Sequence, residues 1–329
     1  MQEKDSKQPN TVSRRPAYLR WSLAAGALIL IGVAASLTTF DQPGQPNLPA
    51  PTLGGMQVWA DEYVAAGWRL QENLLTGHYR LLDADNTRRA WGDFAETLAA
   101  YRQMQTSGEI GPQPENLVIL LHGLGGWGDR MEGMRQGLEA AGFAVEHINY
   151  PSSRRGIFTH ARQINRVLNR WQGVENVTFV AHSMGGLVLR LALESDEGWN
   201  RRIAVDGIVM IGVPNKGAAL ADALADNPAY KALTGQAGQD LRHQRVQDLP
   251  ALDVRYCVIA GSTNDGQGIN PLIPGDDDGM VAVAEVPLAE GDDFLIIESN
   301  HLQMPNHPSA IEAVLRFLDG RKCAGGGVE

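Results

Sequence analysis

The chain has 329 residues, 43% of them hydrophobic, enough to bury one large core plus an accessory segment. Its formal net charge is −10 with no long basic run, which argues against nucleic acid as a partner. Only two cysteines are present, Cys257 in an apolar run and Cys323 in a Gly-rich tail. Free thiols are the plain expectation, and a disulfide between them stays open if this part of the chain is exported.

Residues 1–20 form a basic tail with Lys4, Lys7, Arg14, Arg15 and Arg20, and residues 21–40 carry no charge. Twenty residues at helical rise span about 30 Å, the thickness of a bilayer's hydrocarbon core. No Lys or Arg follows the span until Arg69, so the positive-inside rule puts the N-terminus in the cytoplasm and the rest outside it. An uncleaved transmembrane anchor fits the full span length. The competing reading is a signal peptide cut near Val33-Ala34-Ala35. Ser13-Arg14-Arg15 hints at twin-arginine export, but Tyr18-Leu19 sits one residue too late for the usual spacing.

Residues 41–55 are a Pro/Gly-rich linker. Over 56–106 the sequence reads as a helical hairpin. Trp59, Tyr63, Leu70 and Leu74 fall near one face, and Trp91, Phe94, Leu98 and Tyr101 recur at three- and four-residue steps.

From residue 115 to about 320 the pattern alternates. Apolar strand candidates lie at 116–121, 144–149, 176–181, 207–212, 254–260 and 294–298. Helical patterns lie near 129–141, 158–171, 185–195, 216–225 and 308–319. Continuous apolar strands between amphipathic helices indicate an α/β fold with a mostly parallel sheet covered on both faces. Ligands bind beyond the C-terminal strand ends of such sheets. Residues 214–253 are too long for a simple crossover and read as a cap, with Pro214, Ala218, Ala219, Leu220, Leu224 and Leu233 supplying apolar character. Residues 321–329 read as a flexible tail.

The informative residues sit at those strand ends. Val177–Gly186 reads Val-Thr-Phe-Val-Ala-His-Ser-Met-Gly-Gly, a β-branched run ending in a serine held between small residues before a helical pattern. This is the context of a nucleophile elbow, with Ser183 exposed on a strained turn and Ala181 and Gly185 small enough for close backbone approach. The first strand ends in Leu121-His122-Gly123-Leu124-Gly125-Gly126. Its glycines suit a loop that aims backbone N–H groups at a developing oxyanion, and Leu124 and Met184 are the candidate donors. His122 is expected to orient this loop rather than act as a base. The Lys-Ser/Thr ending of a phosphate loop and the full dinucleotide-binding spacing are both missing from this string.

Three histidines follow Ser183. His301, one short turn after the apolar strand Phe294–Ile297, is the preferred base, with His307, beside Pro308 at the start of the last helix, as the alternative; His243 sits in a polar, cap-forming stretch. For the acid that orients it, Asp278 adjoins a glycine turn and Met280-Val281, with Asp265 as the alternative. Asp276 and Asp277 read as solvated carboxylates or calcium ligands.

Six strings occur in order: Leu-His-Gly-Leu-Gly-Gly, Asn-Tyr-Pro-Ser, Ala-His-Ser-Met-Gly-Gly, Gly-Val-Pro-Asn-Lys-Gly, Asp-Gly-Met-Val and His-Leu-Gln-Met-Pro-Asn-His-Pro. On these the chain resembles the bacterial lipase/esterase branch of the α/β-hydrolase fold over about residues 115–320. The resemblance implies Ser183 as nucleophile, Asp278 as acid, His301 as base and Leu124 and Met184 as oxyanion donors. It implies an acyl ester or lipid substrate and no cofactor. With the N-terminal span, it implies a single-pass protein of the bacterial inner membrane whose catalytic domain is periplasmic. An acyltransferase or thioesterase would carry the same triad. From another class, a non-catalytic membrane-anchored binding protein remains an alternative, since one fold hosts many functions.

Overall fold

The computed structural model describes residues 50–52, 57–195, 198–263 and 266–325. The basic tail, the 21–40 span, most of the linker and Asp265 lie outside the described residues. Among the described residues, no helix is long and apolar enough to cross a membrane.

The described residues between 50 and 92 form strands and turns, which corrects the helical hairpin expected over 56–106. Strands β1 (Ala50–Pro51), β2 (Trp59–Ala65), β3 (Trp68–Asn73), β4 (Tyr79–Leu82) and β5 (Thr87–Gly92) form an antiparallel sheet in the order β1-β5-β4-β3-β2. Two features disguise it. A bulge between Asp61 and Tyr63 interrupts the period-two alternation of β2, so Trp59 and Tyr63 fall at a helix-like step. The β2–β3 loop is Ala66-Gly67, with φ of 50° and 78°. Positive φ at both loop residues suits the strand twist of a tight hairpin, but alanine is a poor cue for it. Only the second predicted helix forms, as α1 (Phe94–Thr106), fixed by a capping box in which Asp93 and Glu96 satisfy each other's backbone N–H groups.

The apolar runs from residue 116 onward pair as a second sheet, all parallel. In chain order the elements are β6 (Asn116–Leu121), α2 (Glu132–Ala140), β7 (Val145–His147), α3 (Ile157–Arg170), β8 (Asn176–His182), α4 (Met184–Glu194) and β9 (Ala204–Ile211). Three helices follow, the short α5 (Ala219–Ala223), the kinked α6 (Pro228–Asp240) and the short α7 (His243–Val246). Strands β10 (Tyr256–Ser262) and β11 (Asp293–Glu298) and helix α8 (Pro308–Leu318) complete it. The strand order is β11-β10-β9-β8-β6-β7. After β7 the chain crosses back to the other side of β6, so β6 and β8 flank the switch point where such sheets open a crevice. Ile164, Leu168, Leu187 and Val188 of α3 and α4 pack on one face; Met134, Leu138, Val314 and Phe317 of α2 and α8 pack on the other. Buried over most of their length on both faces, β6, β8, β9 and β10 need no polar alternation.

The small sheet is attached through buried polar groups. Asp61 accepts hydrogen bonds from the Asn149 N–H at 2.7 Å and Gln71 Nε2 at 2.7 Å. Glu62 ties β2 to α3 through Arg166 and Arg170, each at 2.6 Å. Burial pushes the Asp61 carboxyl up to about 6.

Cys257 and Cys323 form a disulfide, against the expectation of free thiols. Cys323 is fully buried, its N–H donates to Asp293 Oδ2 at 2.7 Å, and Arg316 donates to its carbonyl. The tail is therefore pinned through residue 323 rather than free. A cross-link over 66 positions restricts the unfolded chain and is expected to contribute about 2–4 kcal/mol. A Cys257→Ser/Cys323→Ser variant should show a correspondingly lower urea midpoint. An unchanged midpoint would contradict this.

Candidate active site

Strand β8 delivers Ser183 on a tight turn into α4. Its φ of 54° and ψ of −130° lie where non-glycine residues are strained, at a cost of order 1–3 kcal/mol. The Ser183 N–H is anchored on the Ile211 carbonyl of β9 at 2.9 Å, so the neighbouring strand helps hold the conformation. The turn works only with small neighbours. A Cβ on Gly185 would stand 2.7 Å from the Leu121 carbonyl oxygen and 2.8 Å from that of His122, both backbone atoms that cannot give way. On Gly123 it would stand 2.8 Å from Ser183 Cβ.

His301 follows β11 and turns its ring toward the elbow. Its Nε2 lies 2.9 Å from Ser183 Oγ, and its Nδ1 lies 2.7 Å from Asp278 Oδ2. The other Asp278 oxygen, Oδ1, accepts from the Met280 N–H at 2.9 Å and the Val281 N–H at 2.8 Å. The His301 N–H donates to the Asp278 carbonyl at 2.9 Å. Ser183, His301 and Asp278 are 7%, 3% and 2% exposed, so this hydrogen-bonded row is nearly shut off from bulk water.

The remaining sequence candidates fall elsewhere. His307 caps α8, its Nδ1 accepting from the Ser309 N–H at 3.3 Å. His243 pairs with Asp222 at 2.6 Å. The reading of Asp277 as a solvated carboxylate is corrected, while Asp276 is partly buried. Asp276 accepts from the Ser262 hydroxyl and the Thr263 N–H. Asp277 is fully buried and accepts from the N–H groups of Asn270 and Gly279. Both carboxylates stitch the loop that carries Asp278. Among the described residues, the one cluster of metal-capable groups is Cys257, Asp293 and Cys323, and its two sulfurs are bonded to each other.

Leu124 lines the cavity beside Ser183. Met184 opens α4, so its N–H has no acceptor within the helix. His122 sits behind the Leu124 loop. Burial pulls it down to about 4, leaving a neutral ring. Its Nε2 accepts from the Tyr150 N–H, which fixes the proton on Nδ1 for donation to the Gly123 carbonyl at 2.9 Å. A second neutral histidine, His182, has no role in the sequence reading. Its Nε2 lies 3.0 Å from the His301 carbonyl and braces the segment that carries that ring.

The cavity, of about 130 Å³, is lined from the 214–253 segment by Pro214, Ala218, Leu220, Ala221, Tyr230, Thr234 and Leu241. Leu233, expected among its apolar residues, is half exposed. Tyr230, Thr234 and Leu241 carry no signal in the sequence that marks them.

The family model described as alpha/beta hydrolase fold matches residues 116–251. The structure is similar to a lipase of Bacillus licheniformis, with a TM-score of 0.50 and 19% identity over 63% of this chain and 93% of that one. It is also similar to a metagenomic carboxyl esterase, with a TM-score of 0.49 and 19% identity over 63% of this chain and 76% of that one. No curated protein sequence matches.

Proposed function

We propose that this chain, whose residues 116–251 match the α/β-hydrolase fold model, is a serine hydrolase that cleaves carboxylic esters. One observation carries the reading: His301 is hydrogen-bonded at once to Ser183 on its strained turn and to Asp278. The similar structure from Bacillus licheniformis is that of a lipase, which agrees with this reading.

In this reading His301 Nε2 takes the Ser183 proton as Oγ attacks the ester carbonyl. Asp278 holds the Nδ1–H tautomer and stabilises the imidazolium. The tetrahedral oxyanion is met by the N–H groups of Leu124 and Met184, donors typically worth about 3–4 kcal/mol each. Collapse breaks the C–O bond, and His301 returns the proton to the leaving alcohol. Water, deprotonated by the same ring, then releases the carboxylic acid and regenerates Ser183. The apolar walls from Leu220, Leu241 and Val281 suit an acyl chain. A panel of p-nitrophenyl esters of increasing chain length tests the reading. Turnover of at least one member supports it, and failure on the whole panel by folded protein counts against it.

The charge-free span at 21–40 and the five basic residues before it support single-pass anchoring in a bacterial inner membrane, with residues 41–329 outside the cytoplasm. The disulfide suits an oxidising compartment. Full-length protein is expected in the membrane fraction and accessible to protease added to spheroplasts. A soluble product starting near Ser36 would mean a cleaved signal peptide instead, and full-length protein protected in the cytoplasm would refute export.

A further inference from the structure

Among the described residues, Ser183 shares its cavity with one permanently charged side chain, Arg130. Arg130 lies in the 3-10 turn Gly128–Met131, just beyond the glycine loop of Leu124. Its backbone is held by Asn306, whose Nδ2 donates to the Arg130 carbonyl at 2.9 Å and whose Oδ1 accepts from the Met134 N–H. Its guanidinium stacks over the Trp127 ring at 4.8 Å, which restricts where the charge can go. Other arginines on the same molecule are spent on carboxylates: Arg135 on Glu132 and Glu139, Arg166 and Arg170 on Glu62, Arg316 on Glu312. Among the described residues, Arg130 has no such partner. Among the described residues, the cavity lining contains no Asp or Glu, and Asp278 behind it has both oxygens committed to His301 and to backbone N–H groups.

We infer that Arg130 forms an anion subsite at the rim of the Ser183 cavity, selecting esters that carry a carboxylate or phosphate near the scissile bond. The inference rests on the hydrolase reading of Ser183 and deepens it. A guanidinium offers parallel N–H donors matched to either anion, and it cannot deprotonate away from the task. The apolar wall of Leu220, Ala221, Leu241 and Val281 accommodates the acyl chain while Arg130 fixes the charged end. Holding the substrate at both ends orients the carbonyl over Ser183.

Two matched pairs of esters test this and separate the anion's source. p-Nitrophenyl butyrate against p-nitrophenyl hemisuccinate places a carboxylate in the acyl arm. Monobutyrin against butyrylglycerol phosphate places a phosphate in the alcohol arm. The wild type should favour the charged member of at least one pair in kcat/KM. Arg130→Gln should lower that charged-to-neutral ratio about tenfold, the size of one charge-assisted contact. Arg130→Lys, which keeps the charge without the planar fork, should retain an intermediate ratio. An unchanged ratio in both pairs, or an equal loss on both members of a pair, overturns the subsite and leaves the hydrolase reading standing. Failure of the wild type on all four esters, with no fluorophosphonate label on Ser183, overturns the hydrolase reading and the subsite with it.

Discussion

Ser183→Ala is expected to abolish ester turnover, a loss of at least about 10³-fold, while the domain stays folded. The substitution removes one oxygen whose partner is His301 Nε2. Alanine has the same backbone freedom as serine at φ 54°, so the strain of the turn is unchanged. The Oγ site opens on the cavity rather than on packed side chains, so no apolar contact is lost. Circular dichroism and the melting midpoint should therefore match the wild type. A folded variant with full activity would remove Ser183 from the reaction.

Asp278→Asn should lower kcat by about 10⁴-fold, the size seen when a triad carboxylate becomes an amide. The surroundings of Asp278 explain why an isosteric change would do so much. Oδ1 faces two backbone N–H donors, from Met280 and Val281. An asparagine must place its carbonyl oxygen there, which turns its NH₂ group toward His301 Nδ1. The ring would then accept at Nδ1 and carry its proton on Nε2, facing Ser183 with nothing to take the hydroxyl proton. Substrate binding does not involve this carboxylate, so KM should change little. Asp265→Asn serves as the contrast and should stay within a few-fold of wild type. The reverse pattern would move the acid to Asp265.

How much of this was legible in the sequence depended on what each segment buries. Strands β6, β8, β9 and β10 lie between two helical layers, so they read as uninterrupted apolar runs with the turn glycines at their ends. Ser183 directly follows β8 and His301 lies a short turn after β11, so both could be placed from strand ends; Asp278 sits in the long loop between β10 and β11 and was marked instead by its glycine turn and the apolar Met280-Val281. The accessory sheet gave no comparable signal. Its bulge at Asp61–Tyr63 and its Ala66-Gly67 turn replaced strand periodicity with helix-like spacing. Asp277 was misread for a different reason. A run of three aspartates looks solvent-facing, and nothing local shows that Asn270 and Gly279 donate to the middle one. Cys323 likewise sits in a glycine-rich tail, and only the packing of Arg316 and Asp293 around it shows that it is held against β10. Arg130 is one of many exposed arginines in the sequence, and only the cavity distinguishes it.

The central claim is that Ser183 is an activated nucleophile, and it is tested most directly by covalent capture. Full-length protein would be treated with a fluorophosphonate, digested and mapped by mass spectrometry. The expected result is a single phosphonyl adduct on the peptide carrying Ser183, absent from the Ser183→Ala variant and strongly slowed in Asp278→Asn. Folded wild-type protein that remains unlabelled, or that is labelled at another residue, would contradict the claim.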